Sequence, residues 1–326
     1  MRILFVTSTR IGDAVLSAGL LAWLIRQHPE ARLTIACGAE AAPLFAAVPN
    51  LERVIALNKR PGRLHWLGLW AAAVATRWDL VVDLRASALA WLVPARRRRV
   101  FRPSHAPVHR MRQLGDLFGL EEPPAPRLWT TPAQGQAAAR LVPPDGPVLA
   151  LGPTANWAGK QWRAERFVDL VARLTADDGI LPGARVALFG AAKERGAARP
   201  VIEAVPEARR IDLVGRLDLP TAYACLERCA LYVGNDSGLM HLAAAAGVPT
   251  LGLFGPSRDE HYAPWGTHTA VVRTRESYDE LVGAPGYDHR TTGTLMDGLT
   301  VDAVEAAARE LWRRCAGAGA AAANVT

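Results

Sequence analysis

The stretch Gly234-Asn-Asp-Ser-Gly-Leu-Met-His-Leu-Ala-Ala-Ala-Ala-Gly-Val-Pro-Thr-Leu-Gly-Leu-Phe-Gly-Pro256 sets a polar turn, an Ala-rich helix and an apolar strand one after another. Leu231 to Val233 suit a short buried strand ahead of it. Asp236 or Ser237 can cap the helix, Gly247 can end it, and Pro249 prevents its continuation. The next strand runs through residues 250–254. A helix entered in this way points unpaired backbone N–H groups and a partial positive charge at whatever sits above the turn, which favours phosphate.

Outward from this stretch the same alternation fills the chain. Residues 1–8 read as a first strand, and 14–27 as an amphipathic helix entered through Arg10-Ile-Gly-Asp13. Short β-rich runs at 33–37, 54–57, 80–84 and 100–101 are separated by helical stretches near 39–47, 64–77 and 86–93. Two Pro-rich segments, 121–126 and 142–147, flank a short helix at 132–141, and the second reads as a linker. The alternation then restarts with strands at 148–152, 185–190 and 211–214 and helices at 164–176, 193–204 and 221–229. Strands alternating with helices imply the α/β class, here two Rossmann-type domains with parallel, doubly wound sheets. The expected domains are residues 1–142 and 147–315. Between Tyr262 and Thr300 the pattern weakens into Gly-, Pro- and Thr-rich loop, 301–314 returns as a closing helix, and the small-residue tail 316–326 is expected to be disordered.

Composition supports two cores and limits the partners. A chain of 326 residues, half of them hydrophobic, suits two domains of about 150 residues each. The first apolar run, residues 3–6, is shorter than the roughly 7–15 residues of a signal-peptide core, and no stretch reaches the roughly 20 of a spanning helix. A cytoplasmic protein is expected. Cys37, Cys225, Cys229 and Cys315 show no CxxC spacing and read as structural. The net charge of +7 and pI of 9.7 imply an anionic partner. Nucleic acid is not expected, because the basic residues are dispersed rather than interleaved with aromatics on one element. Only Lys59, Lys160 and Lys193 are lysines among the 38 basic residues, so each is a candidate for a specific role.

Ligands on open α/β sheets bind beyond the C-terminal ends of the strands, which directs attention to four turns. In Ser8-Thr-Arg-Ile-Gly-Asp13, Gly12 permits close backbone approach, and Asp13 either caps the helix or takes a proton from a hydroxyl. In Gly152-Pro-Thr-Ala-Asn-Trp-Ala-Gly-Lys-Gln-Trp162, small and hydroxyl residues such as Thr154, with Asn156, can line a phosphate to which Lys160 adds a point charge. Glu194, opening a helix after the Phe189-Gly-Ala-Ala-Lys turn, either favours the helix dipole or bonds a ribose. In the first stretch quoted, His241 lies one turn into the helix, as a core residue or a ligand.

Ile11-Gly-Asp13, Lys160-Gln-Trp162 followed by Glu165-Arg-Phe167, Asp236-Ser-Gly-Leu-Met-His241, the Gly255-Pro256 turn and Tyr262-Ala-Pro-Trp-Gly266 together resemble the heptosyltransferases, glycosyltransferase family nine. The resemblance implies a GT-B architecture, two Rossmann-like domains facing across a cleft. It implies an inverting, metal-independent transfer of heptose from an ADP-heptose donor to a lipopolysaccharide core or related anionic glycolipid. No cofactor is then required. By motif, Asp13 is the general base and Lys160 steadies the departing diphosphate. Thr154, Asn156, Glu194, Asp236, Ser237, Gly238 and His241 bind the donor, and Arg10, Gly12, Lys59, Arg60 and Arg110 the acceptor. A monomer is expected, with peripheral contact to the cytoplasmic face of the inner membrane.

The chemistry of the residues agrees with this. A sugar diphosphate leaves as an anion that helix N-termini and a lysine can stabilise, and no Asp-x-Asp motif occurs in the chain. There are also departures. Arg163 stands where family members often have Pro, Thr7 and Arg10 where some carry a lysine, and residues 273–297 match no family pattern. The alternatives are a non-catalytic nucleotide-binding regulator and a GT-B sugar-nucleotide epimerase.

Overall fold

Every pairing between strands of the described residues is parallel, as expected where apolar runs rather than alternating patterns form the strands. The structure, a computed structural model, describes residues 1–58, 65–104 and 106–323. It divides into two compact units, Met1–Thr131 and Pro132–Thr326.

The first unit is a five-stranded sheet of β1 (Arg2–Val6), β2 (Arg32–Gly38), β3 (Leu51–Leu57), β4 (Trp78–Asp83) and β5 (Ala95–Val100), in the order β3-β2-β1-β4-β5. Its helices are α1 (Ile11–Gln27), α2 (His65–Ala73), α3 (Leu89–Leu92) and α4 (Arg110–Asp116). Two elements differ from the sequence reading. The helix expected at 39–47 is only a 3₁₀ turn, Ala42–Phe45, with Pro43 in it. The strand expected at 100–101 begins at Ala95 and runs through all four arginines. It lies at the sheet edge, where charged side chains are tolerated and guard the open backbone. Arg98 turns inward instead, donating to the carbonyls of Ala90, Val93 and Ala95 at 2.6, 3.0 and 3.0 Å and so holding the end of α3.

The second unit is a six-stranded sheet of β6 (Val148–Gly152), β7 (Arg185–Leu188), β8 (Arg210–Asp212), β9 (Leu231–Asn235), β10 (Thr250–Phe254) and β11 (Thr269–Arg273), in the order β11-β10-β9-β6-β7-β8. Around it lie α5 (Pro132–Leu141), α6 (Ala164–Leu174), α7 (Arg195–Ala204), α8 (Leu219–Leu226), α9 (Gly238–Ala245), α10 (Asp259–Tyr262), α11 (Tyr278–Val282) and α12 (Val301–Ala323). The division between units falls ahead of α5, not at the Pro-rich segment 142–147. Helix α5 packs on α8, and Arg228 Nε donates to the Val142 carbonyl at 2.5 Å, tying the helix to the second sheet. The segment 262–300 is not all loop: it holds β11 and α11, the latter entered through a Ser277/Glu280 capping box. Helix α12 continues to Ala323, so the tail expected to be disordered from 316 is helical over most of its length, consistent with alanine having the highest helix propensity.

One face of the second sheet presents Leu149, Leu151, Val233, Leu251 and Leu253 to Phe167, Leu170 and Leu311 of the helices. Each such side chain stabilises the fold by about 1.5–3 kcal/mol. Cys37, Cys225 and Cys229 are buried free thiols that burial pushes up to about 12, so they act as packing residues. On the opposite face of β9 the fully buried Tyr232 lies across two glycines. A Cβ at Gly152 or Gly234 would stand 2.9 or 2.8 Å from Tyr232 Cζ, inside van der Waals contact. Gly152→Ala is therefore expected to lower the melting temperature, an overpacking cost of about 1–3 kcal/mol, and Gly152→Ala with Tyr232→Phe to recover part of the loss, read by thermal denaturation.

Candidate active site

The strand orders place three of the four turns where ligands are expected. In the second sheet the chain runs outward from β6 through β7 and β8, then restarts at β9 on the other side of β6. The switch point lies between β6 and β9, and the turns carrying Lys160 and Asp236 follow those two strands. In the first sheet the reversal falls between β1 and β4, beside the turn carrying Asp13.

The stretch 231–256 folds as its sequence implies: β9, the turn at Asp236 and Ser237, α9, Gly247 at φ +79°, then β10. Ser237 occupies the N-cap position but makes no side-chain cap bond. The first-turn N–H groups of α9 thus gain no partner from Ser237. Ser237 Oγ is buried and makes no hydrogen bond of standard geometry, although it lies beside the Tyr232 hydroxyl and opposes the rise that burial imposes on that phenol. Asp236 forms an ion pair with Lys160 Nζ, with the two side chains 8% and 24% exposed. His241 is buried one turn into α9.

The loop 153–162 is held to this turn by Asn235, a fully buried residue that the sequence reading did not single out. Its Nδ2 donates to the Pro153 carbonyl at 3.0 Å, and its Oδ1 accepts from the Trp162 N–H at 3.0 Å. The amide spans the base of the loop and leaves Lys160 at its rim. The segment 273–297, which matched no pattern, braces the other side. Trp157 stacks on His289 with centroids 4.6 Å apart, and its Nε1 donates to the His289 carbonyl at 3.0 Å. Leu295 N–H donates to the Gly159 carbonyl at 3.0 Å. Arg163 reaches Asp297 with both Nε and Nη2, the latter at 2.6 Å, and holds that carboxyl below its ordinary value. The arginine in place of the usual proline therefore fastens α6 to the brace.

Of the other donor-side candidates, Thr154 is buried and donates from Oγ1 to Glu194 Oε2 at 3.1 Å, and the same oxygen accepts from Ala191 N–H at 2.9 Å. Glu194 thus completes the turn after β7 and joins it to the loop after β6. Asn156 is exposed on that loop.

In the first unit, Asp13 sits in the first turn of α1, but the N-cap position belongs to Arg10, which makes no side-chain cap bond. Capping is therefore not what Asp13 does. Its Oδ2 accepts only a long bond from Ser8 Oγ, 3.4 Å. It lines a pocket of about 200 Å³ with Ser8, Ser17, Arg85, Phe101 and Arg110. Arg110 lies over the Phe101 ring at 5.1 Å. Arg10 and Gly12 stand at the helix entry and do not line this pocket; Arg10 is exposed. Lys59 and Arg60 lie outside the described residues. Leu84 and Arg85 also line the pocket, in a turn organised by Asp83, a second residue absent from the sequence reading. Fully buried at the end of β4, it accepts from Arg85 N–H at 2.8 Å, Ser87 N–H at 2.9 Å and Ser87 Oγ. Burial pushes its carboxyl up while these bonds pull it down. They hold Ala86 at φ +50° and so aim Arg85 into the pocket. Among the described residues no three His, Cys, Asp or Glu side chains gather as a metal cluster.

A family model described as glycosyltransferase family 9 (heptosyltransferase) matches residues 72–283. The chain belongs to that family. It is thus a glycosyltransferase, and neither the regulator nor the epimerase alternative is favoured. A lipooligosaccharide heptosyltransferase 2 of Haemophilus influenzae is 25% identical, over 85% of this chain and 89% of the relative. The fold is shared with a family 9 glycosyltransferase of Veillonella parvula, with a TM-score of 0.77 at 19% identity over 96% and 97% of the two chains. It is shared as well with an Escherichia coli ADP-heptose LPS heptosyltransferase II, with a TM-score of 0.74 at 21% identity over 96% and 99%. The GT-B class that the resemblance implied is the fold class of this family 9 chain.

Asn235→Ala is expected to cost about 1–3 kcal/mol, because it removes two buried hydrogen bonds at once. It should also raise amide hydrogen exchange in the loop 153–162 above that of β7, which the substitution does not touch. Equal exchange in loop and strand would contradict the role given to Asn235.

Proposed function

We propose that this family 9 glycosyltransferase moves heptose from ADP-heptose to a lipopolysaccharide core acceptor, with inversion at the anomeric carbon. The observation that carries the reading is the pairing of Lys160 with Asp236 at the uncapped N-terminus of α9, on the switch point of the second sheet. A lysine and free N–H groups together suit a diphosphate. The choice of heptose and of a lipopolysaccharide acceptor rests on what the Haemophilus and Escherichia proteins are described as doing.

In this reading the acceptor hydroxyl attacks the anomeric carbon as the bond from that carbon to the β-phosphate oxygen breaks. Asp13 takes the hydroxyl proton. The ADP leaves carrying the bonding electrons, and Lys160 with the N–H groups of Ser237 and Gly238 stabilises that charge, with no metal required. Asp236 keeps the lysine at the turn and, with His241, holds the sugar. Glu194 takes the ribose through the oxygen not engaged by Thr154 and Ala191, and Thr154 and Asn156 line the phosphate. On the acceptor side Arg110, beside Asp13, takes an anionic group, joined by Arg10, Gly12, Lys59 and Arg60. One carboxylate suffices because inversion needs a base and no enzyme nucleophile.

Asp13→Ala is expected to lower kcat by about 10²–10⁴ while leaving ADP affinity within a few-fold, measured by calorimetry and by transfer to heptose-deficient core. Lys160→Ala should weaken both donor binding and rate. Unchanged turnover in the Asp13 variant sinks the base assignment, and a preference for UDP or GDP over ADP sinks the donor.

A further inference from the structure

Serine at a helix N-cap ordinarily accepts a hydrogen bond from the N–H of the second or third helical residue, in α9 Leu239 or Met240. Ser237 has the extended backbone of a cap, φ −153° and ψ 171°, but makes no such bond. Its Oγ is buried instead beside the Tyr232 hydroxyl.

Tyr232 is fully buried within β9. Where β6 pairs with β9, Ala150 stands opposite Tyr232 and Gly152 opposite Gly234. The ring lies across both glycines, and a Cβ on either would meet its hydroxyl. The phenol oxygen is thus carried two residues forward along the sheet, to the end of β6 and β9 where the turns bearing Lys160 and Asp236 begin. It makes no hydrogen bond of standard geometry there. Burial pushes the phenol up, Ser237 opposes the rise as a hydrogen-bonding neighbour, and the charge of Glu194 adds to it. The hydroxyl therefore keeps its proton and is a donor. Glu194 Oε2 already accepts from Thr154 Oγ1 and Ala191 N–H, which leaves the Ser237 hydroxyl as the neighbour for that proton. A phenylalanine would fill the same space with no buried hydroxyl to satisfy, so the oxygen calls for an explanation beyond packing.

We propose that Tyr232 is a positioning residue for the donor: its hydroxyl holds the Ser237 side chain off the cap of α9, so that the helix end stays open to a diphosphate. A serine that capped its own helix would take the N–H of Leu239 or Met240 and stand over the helix end, in competition with the phosphate. Tyr232 itself touches no ligand, being fully buried, and acts through Ser237. This rests on the function proposed above and adds a residue to it.

The test is a double-mutant cycle on ADP affinity, measured by calorimetry with the full chain. Tyr232→Phe keeps the ring over Gly152 and Gly234 and removes only the oxygen. It is expected to weaken ADP binding about fivefold, the worth of a serine cap expressed as affinity, with the melting temperature unchanged or higher. Ser237→Ala cannot cap, so Tyr232→Phe combined with Ser237→Ala should bind ADP as tightly as Ser237→Ala alone. The same loss in both backgrounds would make the tyrosine a packing residue and overturn the proposal, and so would no loss in the parent background. A second readout needs no ligand. In the free Tyr232→Phe protein, amide hydrogen exchange at Leu239 or Met240 should slow several-fold as Ser237 moves onto the cap, and unchanged exchange at both also overturns the proposal. A parent that binds no ADP, or prefers UDP or GDP, counts against the donor reading, and the exchange measurement then decides by itself whether Tyr232 holds Ser237.

Discussion

The geometry of the Lys160–Asp236 pair depends on one buried amide. Asn235 is fully buried and uses both ends of its side chain, on the Pro153 carbonyl and the Trp162 N–H. That fixes the two feet of a ten-residue excursion from the sheet, and only then can Lys160 meet Asp236, the residue next to Asn235 in sequence. A buried amide that lost one partner would cost about 1–3 kcal/mol, so the loop is held in one closed form rather than chosen among several. The brace supplied by Trp157, His289, Arg163 and Asp297 acts on the same loop from the outside.

The first unit solves the equivalent problem with a charge. Asp83 is buried against its own preference for water and is kept there by three hydrogen bonds from the turn it organises. The consequence is a left-handed Ala86 and an Arg85 that borders the pocket of Asp13. The two units therefore present different chemistry at their switch points. One offers a carboxylate with few partners beside arginines, the other a lysine and an uncapped helix end.

Much of this was legible in the sequence because it is local. The run 231–256 announces its strand, turn, helix and strand through Ser237, Gly247 and Pro249, and the structure follows it. Asp13, Lys160 and Asp236 stand out for the same reason, each in a turn after an apolar strand. What escaped was long-range. Asn235 and Asp83 each sit at a strand end, and their meaning lies in partners that only strand order and loop closure bring near. Residues 273–297 carry no periodicity because their role is to pack on a loop more than a hundred positions earlier. The Arg96–Arg99 run hid a strand, since charge masks β patterning where a strand lies on an edge.

The central claim is that one carboxylate, Asp13, activates the acceptor and that no group of the enzyme attacks the sugar. The most direct measurement is the anomeric configuration of the product formed from ADP-heptose of defined configuration, read by NMR coupling constants at the new linkage. The account predicts a linkage of the opposite configuration to the donor in every product molecule. A linkage of the same configuration would mean either two successive displacements through an enzyme nucleophile or attack from the face the diphosphate leaves, and would contradict it.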